Sequence, residues 1–145
     1  MKIKFIFSTL LLLFFMAVIA QGQVHVGVYQ EGILNHIGAG TDPEKKFFGE
    51  VRLLAGGIVN SVFGIEALGH YNLQRNDWYN LHAGLMLGYS DFNEGSAGLP
   101  LGLSFKPTIN HRQFSVLLEG MPMYGYESFA LRALVGLRYT FRKAD

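Results

Sequence analysis

Seven charged side chains sit where strand-like sequence would turn them all to one side: Glu50, Arg52, Glu66, Lys106, Glu119, Arg132 and Arg138. The set is nearly balanced in sign. Charges withdrawn from water are tolerable when they satisfy one another. Such a set can form a polar network that rigidifies and fills an interior, or it can line a path for protons and small ions. Filling is the preferred reading, because a narrow barrel has interior space for little besides its own side chains. His70 and His82 form a second constellation. As cross-strand neighbours they could grip a divalent metal with Glu66 nearby, since two imidazoles and a carboxylate are adequate donors. No second cluster supports that spacing, so the expectation is hydrogen-bonded interior histidines, with no metal and no cofactor.

Hydroxyl nucleophiles require a histidine beside them and an acid to orient it. Ser61, Ser90, Ser96, Ser104, Ser115 and Ser128 are scattered, and none is flanked by a nucleophile motif. Glycines fall in strands and turns, and none opens a helix, so no loop cradles phosphate. The chain is expected not to be an enzyme.

The elements that position these residues read as strands, because period-two alternation dominates from Val24 to Phe141. In the stretch 78–89, Tyr79, Leu81, Ala83, Leu85, Leu87 and Tyr89 share one face, and Trp78, Asn80, His82, Gly84, Met86 and Gly88 lie on the other. The last strand sets Phe129, Leu131, Val135, Leu137, Tyr139 and Phe141 against Arg132, Gly136 and Arg138. Six such strands are clear, and shorter ones at 24–30 and 33–38 bring the total to about eight. Proline cannot donate to a ladder, so Pro100 and Pro122 predict a bulge or irregular pairing. Two turns suggest registers. A Gly125-Tyr126 turn would pair Tyr124 with Glu127 and bring Glu119 opposite Arg132 and Gln113 opposite Arg138. A three-residue loop at 75–77 would pair His70 with His82 and Asn72 with Asn80.

Alternation alone fits a membrane barrel or a soluble one with an apolar cavity. The mixed face decides between them. It mixes balanced charges with Gly64, Gly84, Gly88, Gly102 and Gly136, which suits a narrow interior better than a soluble exterior. The apolar face, with tyrosines at both ends, then meets lipid.

At the amino terminus, Lys2 and Lys4 precede an apolar run to Ile19, with small residues at Ala17 and Ala20. This is the anatomy of a cleaved secretory signal peptide, residues 1–22, leaving 23–145 as one barrel domain. With Lys2 and Lys4 gone, ten Lys and Arg remain against eleven Asp and Glu, which argues against nucleic acid as the partner. There is no cysteine, hence no disulfide and no lipid anchor on a thiol. Charged residues are 16% of the chain, below the ~25% of ordinary soluble domains.

Together these features resemble the small outer-membrane β-barrel proteins of double-membraned bacteria. The resemblance implies an all-β, antiparallel up-and-down transmembrane barrel of about eight strands in the outer membrane. It also implies that the closing strand, with Leu137, Tyr139 and Phe141 at alternate positions, is the signal read by the barrel-assembly machinery; residues 142–145 extend beyond the aromatic on which many members end. Outer-membrane lipid is then a partner. The function expected is structural or partner-binding, with a polar, plugged lumen in place of a wide pore. Loops at 91–98, carrying Phe92, and at 41–46 are the candidates for recognition. The alternative is a secreted soluble barrel that binds a small apolar ligand, and the two readings divide on where Leu81, Leu85, Val135 and Leu137 point.

Overall fold

The computed structural model describes residues 22–57, 62–91, 94–108, 113–125 and 127–141, together with Ile6 and Thr9. The leader falls almost wholly outside the described residues, as do Ser61, Phe92 and the tail 142–145. Nine strand segments follow in order: β1 (Val24–Glu31), β2 (Leu34–Thr41), β3 (Phe47–Gly56), β4 (Val62–Arg75), β5 (Tyr79–Ser90), β6 (Ser96–Gly98), β7 (Leu101–Phe105), β8 (Phe114–Gly125) and β9 (Ser128–Phe141). Every pairing is antiparallel, and β9 pairs with β1, which closes the ring. β6 and β7 share one position between β5 and β8, so the closed barrel has eight staves.

The break between β6 and β7 falls at Leu99 and Pro100, alongside Pro122 of β8. Gly84 N–H donates to the Pro100 carbonyl at 2.9 Å, and Leu99 N–H donates to the Pro122 carbonyl at 3.0 Å. Register therefore continues across the gap, and what the ladder lacks is the N–H that neither proline can supply. The irregularity expected at Pro100 is present as the β6–β7 break, whereas Pro122 lies within an uninterrupted β8 that pairs with β9 in unshifted register.

Burial alternates along every long strand. Leu85, Val135 and Leu137 point outward and stay about half exposed, as do Val28, Ile37, Ile65 and Leu87. Among the described residues, the interior is largely polar and charged. Outward aromatic rings gather near both ends. At the end bearing the chain termini, Phe47 packs on Tyr71 (4.9 Å between centroids), Trp78 on Tyr79 (4.5 Å) and Tyr139 on Phe141 (5.1 Å). Trp78, expected on the face of Asn80 and His82, is instead exposed, because it precedes β5 and strand alternation does not bind it. Tyr89, Tyr124 and Phe129 stand exposed toward the opposite end. From Phe129 to Tyr139 is about ten residues of strand, ~33 Å, which a tilt of ~40° reduces to a height of ~25 Å. That height matches the ~25 Å apolar band of outer-membrane barrels.

Both sequence-derived registers are displaced. Gly125 pairs with Ser128, so Glu119 lies opposite Leu134, and Arg138 lies opposite Ser115. The two-residue connection is 126–127, with Glu127 at φ 56°, a conformation that usually favours glycine. Gly125 is instead spent as the last ladder residue, buried toward the interior. In β4, an irregularity between Asn72 and Gln74 leaves Leu73 out of the pairing, so His70 faces Gly84, and Asn72 faces His82. Each displacement is by two residues along the long part of the ladder, so the inward and outward faces keep their places.

Candidate functional site

The interior is where the chemistry-bearing residues meet. Seven inward positions carry the charges singled out above, and all seven are buried. They do not form a single network. The largest group couples β3, β8, β9 and β1. Arg52 donates from both terminal nitrogens to Glu119, at 2.7 and 3.1 Å, and from Nε to Glu50. Arg138 donates to Glu50 at 2.8 Å, and His25 Nε2 lies 2.7 Å from the same Glu50 oxygen. The Arg52 guanidinium also lies over the Tyr29 ring, 4.4 Å from its centroid, a contact that strengthens when water is excluded.

A second group sits toward the 31–34 turn. Arg132 of β9 reaches Glu66 of β4 at 2.5 and 2.8 Å, and Arg132 Nε is 3.3 Å from Glu31. His36 joins through Glu31 at 3.1 Å. A third group lies at the end that carries the termini. Lys106 Nζ contacts Glu44 at 3.0 Å, the Asn76 carbonyl at 2.8 Å and Asn80 at 3.2 Å. Asn72 donates to the Pro43 and Lys45 carbonyls, tying the 42–46 turn over the same opening. Between the charged groups lie two apolar clusters, Leu68 with Met86, Met121 and Met123, and Tyr29 with Leu117 and Leu134.

The expected Glu119–Arg132 partnership is thus replaced. Glu119 pairs with Arg52, and Arg132 with Glu66, in both cases across the bore between strands four staves apart. Strand alternation indicates which side chains point inward; it carries no information on which of them meet across a lumen. His25, Tyr29, Glu31, His36 and Glu44 belong to the site and were not singled out in the sequence. His25 and Tyr29 alternate with the outward Val26 and Val28, and His36 with the outward Ile37, so their faces were legible.

Small residues make room for the large ones. A Cβ on Gly136 would lie 2.1 Å from the Tyr29 ring, and one on Gly27 would lie 2.2 Å from its hydroxyl. Tyr29 therefore rests on a groove of glycines from β1, β2 and β9.

His70 and His82 come together without being direct partners. Their rings cross edge to face at 4.8 Å, and Phe48 stacks on His70 at 4.6 Å. The carboxylate beside them is Glu119, 3.7 Å from His82 Nε2, whereas Glu66 is engaged by Arg132. All four ring nitrogens lack a hydrogen-bond partner among the described residues, against the expectation of hydrogen-bonded histidines. A buried polar group left so typically costs ~1–3 kcal/mol.

The closing-strand residues Leu137, Tyr139 and Phe141 all face outward. The described parts of the two candidate loops lie at opposite ends: residues 42–46 beside the termini, and Asp91, Glu94 and Gly95 at the other end with Gly32, Ile33, Gly57 and Glu127. At that second end a cavity of about 350 Å³ is lined by Glu31, Glu66, Arg132, Leu34, Leu54 and Met123 among others.

No protein-family model matches the sequence, and no curated protein matches it. Among solved structures, it is similar to the N-terminal β-barrel domain of Pseudomonas aeruginosa OprF (TM-score 0.62, 13% identity, 82% of this chain and 96% of that one). It is similar to a de novo designed transmembrane β-barrel (TM-score 0.60, 14% identity, 83% and 96%). It is also similar to the Yersinia pestis outer membrane protein Ail (TM-score 0.58, 12% identity, 83% and 100%). Likeness at such low identity speaks to architecture, and a designed barrel shares it as fully as natural ones. The chain has the fold of the small eight-stranded β-barrels of bacterial outer membranes.

Proposed function

We propose that this protein is a non-enzymatic integral barrel of a bacterial outer membrane, with a plugged lumen and a structural or partner-binding role. The observation that carries the reading is the division of its surfaces: half-exposed leucines, valines and isoleucines outside, and paired, buried arginines and glutamates inside. A soluble protein with that arrangement would place its apolar belt in water. In lipid the belt is solvated by acyl chains, and every strand finds partners in a closed ring without an edge.

Arg52 and Arg138, at 0% and 1% exposure, fill the middle of the bore, and the Lys106 group closes the end that carries the termini. This supports a rigid plug in place of a channel. Recognition is assigned to the other end, where the cavity bordered by Arg132 and Glu31 opens. In biogenesis, the outward Leu137, Tyr139 and Phe141 of β9 would present the signal to the barrel-assembly machinery.

The test uses two single-cysteine variants in a chain with no cysteine of its own. Leu85→Cys is outward, and Ser115→Cys is a near-isosteric inward position. In outer membranes of a double-membraned expression host, a fluorophore on position 85 should be quenched by brominated lipid, and position 115 should resist labelling. Recovery in the soluble fraction, with position 115 labelled freely, sinks the membrane reading.

A further inference from the structure

We propose that His70, His82 and Glu119 form an interior binding site for one divalent transition-metal ion of the zinc type. Their donor atoms all lie within 4.8 Å of one another, and all three residues are buried. The three come from adjoining parts of the sheet, β4, β5 and β8, and converge inside the bore. Both imidazoles have both nitrogens free of hydrogen bonds among the described residues. Two neighbouring buried rings with no hydrogen bond, and only the Glu119 carboxylate 3.7 Å from one of them, are poorly explained as packing, whereas a cation would use one nitrogen from each.

Donor chemistry selects the ion. Calcium and magnesium take six or more oxygens, which this cluster lacks. With no cysteine in the chain, thiolate-seeking ions find no ligand. Two imidazoles, one carboxylate and an open fourth position suit zinc and its neighbours. Tetrahedral ligands at ~2.0–2.1 Å from zinc stand ~3.3 Å apart, so the cluster needs to close by ~1.5 Å. The absence of a side chain at Gly102 lets the His82 ring sit where it does, since a Cβ there would lie 2.3 Å from its Nε2. Glu119 can serve the ion and Arg52 together, because each carboxylate oxygen carries two lone pairs. Arg52 and Arg138 balance Glu50 and Glu119, so nitrogen donors and not net charge hold the ion.

The experiment uses the barrel refolded in detergent, stripped with a chelator, exposed to Zn²⁺ or Co²⁺, and desalted. The expected result is one Zn²⁺ retained per chain and visible ligand-field bands with Co²⁺. His70→Gln and His82→Gln should each lose the ion at least tenfold, while His111→Gln, outside the described residues, retains it. Heat-modifiable migration on gels reports whether each variant folds. If a variant fails to fold, X-ray absorption at the zinc edge of the wild type decides, with two imidazoles in the coordination shell expected. A wild type that retains no metal, full retention in folded His82→Gln, or a shell with fewer than two imidazoles overturns the site.

Discussion

Arg132 reaches across the bore from β9 to Glu66 in β4, and both charges are withdrawn from water. Deleting one partner leaves the other charge buried, which costs ~3–5 kcal/mol; deleting both costs far less, because no charge is stranded. Arg132→Ala should therefore destabilise the barrel by about that amount, while the Glu66→Leu/Arg132→Met double variant recovers most of the loss. Urea unfolding in detergent, followed by the fluorescence of the single tryptophan, Trp78, measures both. Equal losses in the single and double variants would show that packing, and not charge pairing, sets the effect. That Arg132 is an inward residue was legible from alternation. Its partner was not, because opposite staves are 66 residues apart in the chain and share no ladder.

At the scale of strands, three neighbours cooperate around one ring. Gly27 of β1, Gly38 of β2 and Gly136 of β9 leave the groove in which Tyr29 lies. At Gly27 the three atoms nearest to an added Cβ all belong to Tyr29. Gly27→Ala alone should cost ~1–3 kcal/mol by overpacking. In a Tyr29→Ala background the same change should cost little, so a double-mutant cycle should read strong coupling. Additive losses in that cycle would mean that Tyr29 does not depend on the groove. The prolines act at the same scale: Pro100 and Pro122 divide one stave into β6 and β7 without shifting its register.

For the whole molecule, the number of staves sets the radius, and eight leave a bore that side chains can fill. Here Arg52 and Glu119 span it between opposite walls. Reconstituted into planar lipid bilayers, the wild type should give no discrete single-channel steps. Steps of porin size would overturn the plugged lumen while leaving the membrane fold intact. The outer surface makes the complementary demand, since its apolar belt and two aromatic girdles are of use only to a molecule surrounded by lipid.

By itself the sequence determined the strands, the identity of the inward and outward faces, and an approximate stave count. These follow from local alternation, which has a period of two and tolerates a register error of two residues without exchanging faces. Tertiary structure alone decided the partners. It divided seven inward charges into three groups, replaced Glu66 with Glu119 beside the histidine pair, and brought His25, His36 and Glu44 into the site. Closing a tilted, staggered sheet juxtaposes residues by position around the ring and height along it. Neither coordinate can be read from neighbours in the chain.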